Sequence, residues 1–209
     1  MKYYLILILC YSSTVFAQGG KLMDYYFPTN ELFTEKTYRF VEKKDTSNHV
    51  SWKMKTERYG FDTIFRTVIY DKFGRVTSEQ SEIITGGTAK FLTDTLYDYT
   101  STGKKIIAGC KINEPLIFSA KQKVEASIRW SVSYRDFETH NMSKLTKTRT
   151  LVSVEKGIAT FKDAMKLEIP DQDLTYEYNL ECFYKKGKGL IGYNVTGGKA
   201  KALHFVLEE

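Results

Sequence analysis

Hydrophobic and polar residues alternate with a period of two along most of the chain. Ala126, Ile128, Trp130, Val132 and Tyr134 take every second position, with Ser127, Arg129, Ser131 and Ser133 between them. Leu174, Tyr176, Tyr178, Leu180, Cys182 and Tyr184 alternate with Thr175, Glu177, Asn179 and Glu181, and Val50, Trp52 and Met54 with Ser51, Lys53 and Lys55. Successive side chains of a strand point to opposite faces. The pattern therefore predicts antiparallel strands with one face on a core and the other in water. Thr63–Tyr70 is apolar on both faces and reads as a central strand. Further strand candidates are Thr37–Lys44, Arg75–Ile84, Lys90–Tyr97, Lys104–Ile112, Leu116–Ala120, Leu145–Glu155, Leu190–Val195 and Ala202–Leu207. One segment, Phe161–Lys166, reads as a short helix, with Phe161, Ala164 and Met165 on one side.

Turn signals separate these strands at short intervals. Asp71-Lys72-Phe73-Gly74, Thr85-Gly86-Gly87, Ser101-Thr102-Gly103 and Gly197-Gly198 are the clearest. Asp bonds its own backbone two residues on, and Gly supplies positive φ without steric cost. Close spacing of this kind predicts an antiparallel meander rather than helical crossovers. Tyr70-Asp71 before Gly74-Arg75 and Tyr97-Asp98 before Gly103-Lys104 are two similar hairpins, too few to make a repeat array.

The first segment differs from the rest. Lys2 is followed by an apolar run from Tyr3 to Leu9, then by small residues, with Val15 and Ala17 at the −3 and −1 positions of a cleavage site. A basic start, a short apolar core and a small-residue exit predict a secretory signal peptide over residues 1–17. The apolar core is shorter than the roughly 20 residues that span a bilayer, and no later segment is long and apolar enough to do so. Residues 18–209 then form a single antiparallel β domain, with no linker-like stretch to divide them.

With 209 residues, of which 42% are hydrophobic and 27% charged, the chain is neither disordered nor fibrous. Its net charge of +6 is spread out, and falls by one when Lys2 leaves. The pairs Lys43-Lys44, Lys104-Lys105 and Lys185-Lys186 fall near strand ends, where lysine protects sheet edges. No basic cluster with a recognisable motif points to nucleic acid. Cys110 and Cys182 remain after cleavage, both on apolar faces. An oxidising compartment permits a bridge between them, and two buried free thiols fit the pattern equally well.

Catalytic and metal-binding signals are sparse. His49, His140 and His204 stand apart, with no carboxylate or cysteine at ligand spacing. No serine sits in a nucleophile elbow, and the glycines near Lys199 are out of register for a phosphate loop. Asp171 and Asp173 lack the further oxygens a calcium site needs. Glu177, Glu181 and Glu168 read as a solvated face rather than a glycosidase pair. No catalytic residue, metal ligand or cofactor follows from these. The aromatic content, 15 Tyr, 13 Phe and 2 Trp, is more suggestive. Tyr25-Tyr26-Phe27, Tyr97 with Tyr99, and Tyr176, Tyr178, Phe183 and Tyr184 either pack a large sheet or line a surface for lipid or sugar.

A family resemblance enters on Tyr25-Tyr26-Phe27-Pro28 with Tyr38, and on Gly157, Phe161-Lys162-Asp163-Ala164, Lys166-Leu167, Tyr184, Gly187 and Gly189-Leu190. These stretches resemble the TapB-like exported bacterial β proteins, which are similar to half-barrels of the lipoprotein-carrier type. The resemblance implies an open or half-closed barrel in the periplasm or at the cell surface of a Gram-negative bacterium. It implies a lipidic or hydrophobic ligand on the concave face, and assigns no ligand-binding residue. The other reading is an envelope interaction protein that binds a protein or glycan through its outer sheet face.

Overall fold

The computed structural model describes residues 22–27, 35–99, 105–111, 114–137, 139–197 and 202–208. The segment read as a signal peptide lies outside them. A short helix, α1 (Met23–Tyr26), precedes the strands β1 (Lys36–Glu42), β2 (His49–Tyr59), β3 (Asp62–Tyr70), β4 (Val76–Thr85), β5 (Thr88–Tyr99), β6 (Lys105–Lys111) and β7 (Leu116–Ser119). There follow β8 (Ser127–Asp136), β9 (Met142–Glu155), β10 (Ile158–Ile169), β11 (Leu174–Lys185), β12 (Gly189–Gly197) and β13 (Leu203–Leu207). One 3-10 turn, Pro170–Gln172, joins β10 to β11.

Within β1 to β6, and within β8 to β13, consecutive strands pair antiparallel, as a meander requires, and β7 pairs with β5. Two further pairings join the halves. β1 lies against β13 (Phe40 opposite Leu207, Val41 opposite Val206), and β6 meets β8 at Ala108–Asp136 and Gly109–Arg135. With the β4–β5 hairpin in place, the ring is complete without β7: a closed barrel of twelve antiparallel strands. The expected open or half-closed barrel is therefore wrong. Hairpins are local and leave turn signals, whereas the two closing pairings join segments distant in sequence and leave none. Closure also removes every free sheet edge from the ring.

The helix expected at Phe161–Lys166 is wrong as well. Those residues lie inside β10, where Ala159, Phe161, Asp163, Met165 and Leu167 face inward. Among the described residues the one α-helix is α1, whose Met23 and Tyr25 are buried.

Size explains what α1 does. Eight strands close around a space that side chains just fill, and twelve enclose more. At the end carrying the β4–β5, β9–β10 and β11–β12 turns, the extra space is taken by α1 and β7. Leu22, Met23, Tyr25, Phe27, Ile117 and Phe118 are buried there. Tyr26 stacks on Phe118 at 4.3 Å, and Phe161 stands edge-on to Tyr184 at 5.5 Å. The Gly187 N–H donates to the Asp24 carbonyl at 2.8 Å, tying α1 to the β11–β12 turn.

Across β8 to β11 the outer face is polar. Arg129, Thr146, Thr148, Lys166, Glu177 and Asn179 share it. A barrel in lipid would show an apolar band at these positions. Among the described residues no helix is long and apolar enough to cross a membrane.

Candidate ligand-binding cavity inside the barrel

Beyond the packed end, the barrel encloses a cavity of about 440 Å³. That volume falls in the range of small-molecule sites, roughly 300–1,000 Å³. Strand register places its walls in layers. Leu145 on β9 lies opposite Leu167 on β10, and Lys147 lies opposite Met165, which in turn faces Tyr178 on β11. One layer nearer the packed end, Arg149 lies opposite Asp163, and Asp163 opposite Leu180. Val132, Tyr134, Ile69 and Leu96 extend the apolar wall. Both tryptophans of the chain, Trp52 and Trp130, line it. Trp52 Nε1 is buried without a hydrogen-bond partner.

The charged layer is the site's main chemical feature. Asp163 is fully buried. Arg149 grips it with two bonds, Nε to Oδ1 at 2.9 Å and Nη2 to Oδ2 at 2.8 Å. Lys147 Nζ reaches the same Oδ2 at 2.8 Å and sits 5.5 Å over the Trp130 ring. The Arg149 guanidinium also lies over the rings of Tyr26, Trp130 and Phe161, each within 5.8 Å. Burial alone would push the Asp163 carboxyl up. Arg149 and Lys147 overcome that and hold it well below the usual carboxylate range.

Two other inward carboxyls behave oppositely. Glu82 accepts a bond from the Tyr26 hydroxyl at 2.9 Å. Asp94 accepts from the Tyr134 hydroxyl at 2.8 Å and the Ser78 hydroxyl at 2.9 Å. Burial raises both above the ordinary range, and the hydroxyl donors only partly offset it. The consequences for stability have opposite signs. The folded state holds protons on Glu82 and Asp94 more tightly than the unfolded chain does. Stability should therefore rise as pH falls from neutrality toward the unfolded carboxyl value near 4. Asp163 contributes stability above that value, which is lost as pH falls further. A thermal melting series should show a higher midpoint at pH 5 than at pH 8, and Glu82→Gln should flatten the rise. A midpoint that falls steadily from pH 8 to pH 5 would contradict this assignment.

Cys110 and Cys182 are both free and buried. They stand on β6 and β11, which β8, β9 and β10 separate in the sheet. Burial pushes both thiols up to about 11. Iodoacetamide at pH 8 should label neither residue in the native protein and both in guanidinium without reductant. Labelling that required reductant would instead reveal a bridge.

The other residues singled out from sequence do not converge. Glu177 faces outward, and Glu181 accepts from Asn194 at 2.9 Å. Asp171 lies in the 3-10 turn and Asp173 caps it in the left-handed region. His204 bonds Asn194 at 2.8 Å, and His140 occupies a turn with φ 59°. Among the described residues no group of His, Cys, Asp and Glu could hold a metal ion. Of the aromatics, Tyr26, Tyr178 and Tyr184 line the cavity, while Tyr176 is half exposed on the barrel's rim. Sequence reasoning missed Lys147, Arg149, Asp163, Glu82 and Asp94. A signal existed for the first two. On β9 they take the inward positions between Leu145 and Leu151, while Thr146, Thr148 and Thr150 take the outward ones.

No protein-family model matches the sequence, and a comparison with curated proteins finds no match. Solved structures do match. A presumed lipoprotein from Parabacteroides distasonis superposes with a TM-score of 0.53 at 14% identity, over 88% of this chain and 97% of its own. A presumed exported protein with a YmcC-like fold, from Bacteroides fragilis, gives 0.54 at 12% identity, over 88% and 98%. At such identities the likeness is one of fold: this chain is built like the YmcC-like exported protein along nearly the whole length of both.

Proposed function

We propose that this is an exported, non-catalytic binding protein that holds a lipidic or other hydrophobic ligand inside its barrel. The observation that carries the reading is the cavity of about 440 Å³ with walls of Leu, Val, Met, Tyr and Trp, left open after α1 and β7 have filled one end. A chain entering it gains roughly 25 cal/mol for each Å² of apolar surface removed from water. The leader-like residues 1–17 support export to the periplasm or the cell surface. So do the descriptions of the two similar structures, a presumed lipoprotein and a presumed exported protein. The resemblance to TapB-like proteins points the same way.

Docking of a protein or glycan on the outside is the second reading. It draws on Tyr59 and Phe61, fully or largely exposed at the β2–β3 tip. Native mass spectrometry of the processed protein, purified gently from its own cell envelope, separates the two. An added mass that organic solvent removes and that fragments as lipid is the expected result. A bare protein that also fails to take up added fatty acid or fatty alcohol would overturn the ligand reading.

A further inference from the structure

Two cations face into the cavity and share one buried carboxylate. Arg149 spends Nε and Nη2 on Asp163, and Lys147 spends one of its three donors there. The Lys147 side chain is 18% exposed, Arg149 7% and Asp163 0%, so the lysine is the member of the cluster most open to the cavity. Directly above Lys147 in strand order comes the apolar layer of Leu145, Leu167 and Val132, with Met165 beside it. Apolar walls running down to an off-balance pair of cations fit an amphiphile better than a plain hydrocarbon.

We propose that this layer is a head-group site, at which Lys147 and Arg149 take the carboxylate of a single-chain amphiphile whose tail lies along Met165, Leu145, Leu167 and Val132. The proposal rests on the ligand-holding reading above and adds the class of ligand and its direction, head toward α1. One unit of positive charge remains on the cluster once Asp163 is counted, which matches a carboxylate. A phosphate monoester carries about −1.5 to −2 and overshoots it. Charge-assisted bonds to a carboxylate are among the strong ones, and stronger still away from water.

Glu82 is the residue that could oppose an anion here. The groups facing it are the Tyr26 hydroxyl from α1, the two cations from β9 and Tyr184 from β11, while its ladder neighbours Phe65 and Phe91 are uncharged. Its burial favours the neutral acid. An arriving carboxylate favours that form further. Glu82→Gln, which fixes a neutral side chain, should bind the carboxylate more tightly at pH 8.

Isothermal titration of the folded, delipidated protein with palmitate, hexadecanol and a palmitoyl lysophosphatidate tests the proposal. Palmitate should bind about tenfold or more tighter than hexadecanol. Lys147→Met should erase that preference, and Lys147→Arg should keep it. Glu82→Gln should strengthen palmitate alone, which keeps the test decisive if Lys147→Met folds poorly. Equal binding of palmitate and hexadecanol, insensitive to Lys147→Met and Glu82→Gln, would overturn the head-group site and leave the apolar cavity reading intact. Tighter binding of the lysophosphatidate would overturn the choice of carboxylate. Failure of all three ligands to bind would overturn both readings.

Discussion

Replacing Asp163 by alanine should destabilise the barrel by about 3–5 kcal/mol, the largest loss expected from any single polar position. Asp163 is fully buried and is the shared partner of Arg149 and Lys147. Removing it leaves two buried cations with no counter-charge and restores none of their lost hydration. In a chain of this size each kcal/mol moves the melting midpoint by roughly 2–4 °C, so the drop should be on the order of 10 °C. Replacing Lys147, Arg149 and Asp163 together by methionine should recover much of that stability, since buried ion clusters rarely outperform apolar packing. Such a variant would be stable and lack a head-group site, which separates the cluster's role in binding from its role in folding. An Asp163→Ala protein as stable as the wild type would show that the three side chains do not form the buried cluster.

Phe118→Ala should cost about 3–5 kcal/mol as well, by a different route. Phe118 is completely buried on β7, stacked on Tyr26 of α1 and 5.9 Å from Phe161. It is the hinge between the two elements that fill one end of the barrel. Truncation removes its own transfer energy, opens a cavity and unseats α1 from Tyr184. Chemical denaturation should show the loss, and near-ultraviolet circular dichroism should show weakened aromatic packing with the sheet signal retained. A loss below about 1 kcal/mol would mean that α1 and β7 rest on the barrel without plugging it.

Most of the strands are legible in the sequence because each has one wet face and one dry face. The runs through Trp130, Trp52 and Tyr178 alternate cleanly and became β8, β2 and β11. β10 was misread because of the charged layer it carries. Its inward row is Phe161, Asp163, Met165 and Leu167, and an aspartate in an inward position breaks the apolar alternation that marks a strand. Ala164 and Met165, both good helix formers, completed the false pattern. On β5 the inward parity shifts at a bulge opposite Ser81 and Glu82, where Leu92 is the extra residue, and this brings Phe91 and Asp94 to the same face although they are three residues apart. A period-two reading finds the strand but puts Asp94 on the wrong face. The site was hidden by the same features that build it, charges placed where apolar residues belong. Barrel closure was hidden because β1–β13 and β6–β8 are long-range pairings without turns of their own.

If a chain-like ligand enters the barrel, the two tryptophans should report its arrival. Trp52 and Trp130 are the only ones in the sequence, and both line the cavity. Titration with dibromostearate, whose bromines quench tryptophan only on contact, should quench the emission saturably, at one ligand per protein, and excess palmitate should reverse it. Emission that stays unchanged across the titration, in a protein shown by circular dichroism to be folded, would contradict a ligand inside the barrel.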